Sequence, residues 1–198
     1  MMEVLEKLAM KLGYEKGGKL EFLNKRIAGL WLIWIGVVIV IATIVGGEFL
    51  VHPAVFGAGY FTGFLFILRN KYVRKKLSFG PLSKFQSKVG NLSIVLLFVL
   101  MGLISGRYFE TNDYRMIWLG ALLATGIHFI PFAILHGKSM IYLSIPLIII
   151  TLFGLIDSNL SFMYVAIADG VIKVLFGIVL FLSKDPRERM TNNYTETL

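Results

Sequence analysis

FMYVAIADGVIKVLFGIVLFL, residues 162–182, is long enough to cross a bilayer and carries an acid and a base, Asp169 and Lys173, inside it. About 20 apolar residues rising roughly 1.5 Å each span a hydrocarbon core about 30 Å thick. An ionised side chain near the centre of that core costs about 2.5 kcal/mol or more. Two of them four residues apart share a helix face and answer each other. The stretch therefore marks an integral membrane protein and makes the pair its first candidate for function.

The rest of the chain has the same character. A mean hydropathy of +0.76, with 57% hydrophobic and 16% charged residues, lies outside the soluble globular range. Six apolar windows read as spans, over residues 27–45, 49–68, 89–105, 116–135, 140–156 and 162–182, and no seventh fits. The chain has no cysteine, which excludes disulfides, thiolate metal sites, iron–sulfur clusters and cysteine nucleophiles.

A net charge of +8 would suit nucleic acid if the cations clustered on a soluble domain, but their placement is a topology signal instead. Of 20 Lys and Arg residues, only Arg107 and Arg115 fall in connections of one parity, and Lys173 lies within the last window. All the others flank the opposite ends of the windows. By the positive-inside rule both termini are cytoplasmic. The expected fold is an all-α integral membrane protein in the cell membrane, a six-transmembrane-helix bundle over residues 26–183. Residues 1–25 would form a cytoplasmic amphipathic segment, with Leu5, Leu8 and Leu12 on one side, and residues 184–198 a polar cytoplasmic tail.

The loop over residues 69–88 concentrates this charge. It carries Arg69, Lys71, Arg74, Lys75, Lys76, Lys84 and Lys88 with no acidic residue, and Phe79, Gly80, Pro81 and Phe85 are interleaved. Positive-inside bias accounts for the run, and the same cations suit anionic lipid headgroups at about 1 kcal/mol each. No nucleic-acid partner is expected. The other connections are short and leave no soluble catalytic domain.

Counting from the outer ends of the windows at about 1.5 Å per residue puts Lys173 and His128 both about 18 Å deep, with Asp169 at about 12 Å and Tyr60 and Thr62 at about 18 to 21 Å. A polar cavity near the midplane, lined by the second, fourth and sixth windows, is the expectation that follows. Glu48 and His52, four apart at the head of the second window, form a candidate outer mouth, with helix capping by the carboxylate as the simpler account. His128 and His136 are about 12 Å apart along one helix, too far to share a metal, and no metal site is expected.

The run over residues 168–177, ADGVIKVLFG, resembles the last helix of microbial rhodopsins, where Asp-x-x-x-Lys followed by Phe-Gly holds the retinal-linking lysine and a counterion. The resemblance implies Lys173 as a Schiff-base residue and Asp169 as its counterion. Elsewhere the chain departs from that pattern: six windows replace seven, no middle helix carries an Arg followed by an acidic residue and Trp, and residues 141–152 lack the Trp or Phe of a retinal cage. Retinal on Lys173 is thus the minor reading, and no cofactor is expected.

The function expected from these residues is a transporter, channel or sensor of a proton or small solute. It would work through Asp169 and Lys173, with His128 titrating beside them. Alternatives are a membrane-embedded enzyme acting on lipid or isoprenoid headgroups, for which no nucleophile, metal set or acidic pair is found, and an accessory subunit of a membrane complex. The residues leave the substrate and the oligomeric state open.

Overall fold

In the computed structural model the described residues, 10–15, 18 and 20–186, contain seven complete helices and no strand. They are α1 (Lys25–Ile44), α2 (Pro53–Gly63), α3 (Lys71–Leu77), α4 (Lys84–Ser105), α5 (Tyr114–His136), α6 (Ser139–Ile156) and α7 (Phe162–Phe181). Of these, α1, α4, α5, α6 and α7 are long and apolar enough to cross a membrane. Residues 1–9, 16, 17 and 19 of the expected amphipathic segment over residues 1–25, and the tail beyond residue 186, lie outside the described residues.

Local chemistry fixes several helix ends. Asn70 Oδ1 accepts from the Tyr72 and Val73 amides at 2.9 and 3.3 Å and starts α3. Ser83 and Gln86 form a reciprocal capping box at the head of α4, with both bonds at 3.1 Å. Asp113 Oδ1 accepts from the Met116 amide at 3.0 Å to start α5. Gly137, at φ 87, takes the left-handed conformation that ends α5, and its amide donates to the Ala133 carbonyl at 2.8 Å.

The second window departs from expectation. Its first residues form a 3₁₀ turn (Gly47–Phe49), and helix begins only at Pro53, where a missing amide hydrogen costs nothing. After Gly63 the helix widens into a π turn (Phe64–Leu68), in which the Arg69 amide reaches the Phe64 carbonyl at 2.9 Å. The apolar segment Pro53–Leu68 is therefore shorter than the other five.

Contacts between connections sort the bundle into two faces. On one, Arg26 Nε donates to the Ser183 carbonyl at 2.9 Å, the Phe79 amide donates to the Leu23 carbonyl at 2.9 Å, and Gly137 sits against Phe22. On the other, Trp118 Nε1 donates to the Phe49 carbonyl at 2.9 Å, and Arg115 donates to the Gly154 and Asp157 carbonyls at 2.8 and 3.1 Å. The head of α1 and the foot of α7 thus share one face, together with the basic loop. Alternate connections occupy the other face, and α2 runs between the two.

The most extensive helix pairing is α1 with α7. Glycines make it possible: a Cβ on Gly170 would lie 2.7 Å from the Gly36 carbonyl oxygen, and one on Gly177 would lie 2.8 Å from that of Gly29. The two helices run antiparallel with Gly29 opposite Gly177 and Gly36 opposite Gly170, so backbone touches backbone over two turns. Next to this pair, α6 packs on α7 and α5 on α6, while α4 flanks α5 and α2 flanks α1.

Candidate functional site

Two apolar clusters fill the bundle interior, one towards each face. The first joins Ala42 of α1, Leu122 of α5 and Ala166 of α7, and the second joins Leu32 of α1, Phe129 of α5 and Leu180 of α7. Between them lies a layer of polar and small residues. It holds Gly36, Thr125, His128 and Asp169, with Lys173 beginning the turn that leads to the second cluster.

Asp169 is fully buried at 0% exposure and Lys173 at 1%. Lys173 Nζ donates to Asp169 Oδ2 across one helical turn, as the i,i+4 spacing dictates. The second carboxylate oxygen, Oδ1, is buried without a hydrogen-bond partner. Such an atom is uncommon in a native interior, because an unanswered buried acceptor costs about 1–3 kcal/mol and more when charged.

His128 is buried on α5, in the same layer of the bundle. Its Nδ1 lies 2.8 Å from the Thr125 carbonyl oxygen. A carbonyl only accepts, so Nδ1 carries the hydrogen and Nε2 is left as the acceptor. The ring packs against Phe129 and Phe132, with centroids 4.5 and 4.9 Å away, and Phe132 in turn meets His136 at 5.8 Å. The ring's closest partners are thus residues of its own helix.

Tyr60 and Thr62 are not brought to the pair. On α1, Gly29, Ile33, Gly36 and Val40 face α7, whereas Trp31, Trp34 and Val38 face α2. At about 100° per residue these two sets lie on opposite sides of α1. Tyr60 is 42% exposed and stands edge-on to Trp31 at 5.2 Å, and Thr62 is half-buried on the same flanking helix. Counting depth from Glu48 assumes helix from that residue, whereas helix begins at Pro53, and the thickness of α1 separates the window from α7.

Two clefts lie away from the pair, one lined by Arg74, Lys75 and Ser78 to Pro81, the other an apolar groove between Val37, Val40, Ile41 and the facing side of α7. Glu48 is exposed on the 3₁₀ turn, whereas His52 precedes α2 in extended conformation with its Nδ1 buried and unpartnered. The two residues therefore do not share the helix face that an i,i+4 spacing implies. Among the described residues no three His, Asp or Glu side chains converge as metal ligands. The Lys173 side chain, on which the rhodopsin resemblance would place retinal, is enclosed against Asp169.

Sequence reading missed the glycines that press α1 onto α7. Their signal was present as a shared seven-residue spacing, Gly29 to Gly36 and Gly170 to Gly177. It also missed Gln86, whose buried amide donates to the Glu21 and Ile134 carbonyls at 2.9 and 3.0 Å. A lone Gln in a basic loop gives no sign of this, since both acceptors are distant in the chain.

Over residues 15–190 the chain matches a family described as a family of unknown function, DUF6609. The chain belongs to that family. No curated protein and no solved structure matches it. Membership in DUF6609 thus brings no activity with it, and the chemistry must be argued from the layer around Asp169.

Proposed function

We propose that the protein crosses the cell membrane six times with both termini cytoplasmic, and binds a proton or small solute at the Asp169–Lys173 pair as a transporter or sensor. The six-span reading is supported by the passage of α2 from one face of the bundle to the other and by the cations gathered at the face shared by α1 and α7. The α2 crossing is short, which a locally thinned bilayer accommodates at modest cost.

The orphaned Oδ1 of Asp169 carries the functional reading. It is a buried acceptor without a donor, beside an ammonium and within a helical layer of an imidazole nitrogen free to accept. Protonation of Asp169, or a small donor reaching it, relieves that imbalance. The closed packing supports proton exchange or an occluded transporter rather than a standing pore. A second reading has its own support: the Gly36–Gly170 backbone contact beside the pair suits a clamp that fixes the register of α7 on α1.

Reconstitution into liposomes containing a pH-sensitive dye tests the first reading. Proton flux under an imposed gradient is expected from the unaltered protein and is lost in Asp169→Asn and in Asp169→Val/Lys173→Met. Flux that survives in both variants, each shown to retain its helix content, would remove the pair from transport and leave the clamp.

A further inference from the structure

We propose that the cleft at the end of α3 is a binding site for the headgroup of an anionic phospholipid from the leaflet on the basic face. This inference is independent of the role of Asp169 and Lys173. The cleft, of about 350 Å³, is lined by Arg74, Lys75, Ser78, Phe79, Gly80 and Pro81.

Its base is held rigidly. The Phe79 amide donates to the carbonyl of buried Leu23 at 2.9 Å, the Gly80 carbonyl accepts from Asn24 Nδ2 at 3.2 Å, and Ser78 Oγ donates to the same carbonyl at 2.7 Å. Gly80 packs so closely on Leu23 that an added Cβ would fall 2.8 Å from Leu23 Cδ1. Arg26, whose Nε donates to the Ser183 carbonyl at 2.9 Å, lies over the Phe79 ring, 4.8 Å from its centroid, and braces the turn from the bundle side. Arg74 and Lys75 stand exposed at the rim.

Positive-inside bias requires a number of cations but no arrangement of them. Here two exposed cations border a concavity whose backbone is pinned to the bundle, and no acidic residue lies between residues 69 and 88 to neutralise them. An arginine fork matches phosphate oxygens in pairs, and a lysine adds a point charge. The partner must be anionic, and it must be presented at the membrane surface, because α3 directly follows the apolar segment Pro53–Leu68. The hydroxyl of Ser78 is already engaged within the turn, receiving the Gly80 amide at 3.1 Å, so recognition falls to the cations.

The test uses the full-length protein in detergent micelles, with retention of added phosphatidylglycerol and phosphatidylcholine measured by native mass spectrometry. Phosphatidylglycerol is expected to be retained preferentially. Arg74→Ala/Lys75→Ala should weaken that retention about 100-fold, about tenfold for each direct charge-assisted contact to the phosphate, whereas the general surface attraction is absent in a neutral micelle. The charge-matched Lys84→Ala/Lys88→Ala, which alters exposed cations on α4, should change it less than about twofold. Equal losses in the two variants would reduce the site to general surface charge and overturn the proposal, as would no loss in either. Displacement of the lipid by millimolar inorganic phosphate would point to a free anion as the ligand and overturn the lipid assignment. Melting temperatures equal to that of the unaltered protein check that each variant is folded.

Discussion

Helices α4 and α7 have nearly the same mean hydropathy, 2.2 and 2.1, yet 22% of the apolar window is buried in one and 39% in the other. The more buried helix is the one that carries two charges. The difference comes from where the small residues sit. In α7, Gly170 and Gly177 open a seam into which the α1 backbone fits, so the rest of that face, Asp169 and Lys173 included, is enclosed. In α4, Gly102 meets nothing within 4 Å, while Leu92, Val95, Phe98 and Leu103 remain more than half exposed. Hydropathy decides whether a helix suits a membrane, and side-chain volume decides whether it is central or peripheral within the bundle.

The largest expected effect follows from unbalancing the charges that α7 encloses. Lys173→Met leaves Asp169 buried without its counterion and should lower stability by about 3–5 kcal/mol, measured by unfolding in mixed micelles. Asp169→Val/Lys173→Met removes both charges at similar volume and should return to within about 1.5 kcal/mol of the unaltered protein. A double variant as unstable as the single one would mean that the pair itself, rather than an uncompensated charge, holds α7 in place. A smaller effect is expected from Gly170→Ala, about 1–3 kcal/mol. The new methyl would meet the Gly36 carbonyl oxygen at 2.7 Å, and a backbone atom cannot move aside without separating the helices. Gly102→Ala on α4 should change stability by less than about 0.5 kcal/mol. Equal responses at the two glycines would break the contrast between the helices.

The sequence made the five long apolar helices that suit a membrane legible, because hydropathy and rise per residue are properties of one helix at a time. It did not reveal which helices touch. Tyr60 and Thr62 lie behind α1, away from the pair, because rotation about a helix axis is set by neighbours that a single window does not contain. The head of the second window was misplaced for a local reason. Phe49, Leu50 and Val51 are apolar enough to continue a span, yet Leu50 adopts φ 63 and Pro53 starts the helix four residues later than expected. The glycine seam was readable in principle, since two windows repeat glycine at the same interval, but that signal exists only when two helices are compared.

Gln86 sharpens the contrast at its smallest scale, because it is where peripheral α4 is tied to the rest of the molecule. Both of its N–H donors and one acceptor position are used: Oε1 accepts from the Ser83 amide, and Nε2 donates to Glu21 ahead of α1 and to Ile134 in the last turn of α5. Replacing it by Leu keeps the volume close but leaves two carbonyls and an amide without that partner at a site closed by Phe85, Val89 and Leu135. The expected loss is about 1–2 kcal/mol, in the lower part of the range expected for Gly170→Ala. The loss should be local. Hydrogen exchange is expected to quicken over residues 20–24 and 83–87 while α1 and α7 keep their protection, since the glycine seam does not depend on α4. If exchange instead quickened along α7, the two helices would be coupled through α5. Burial of the charged pair would then be a property of the whole bundle rather than of its glycine seam.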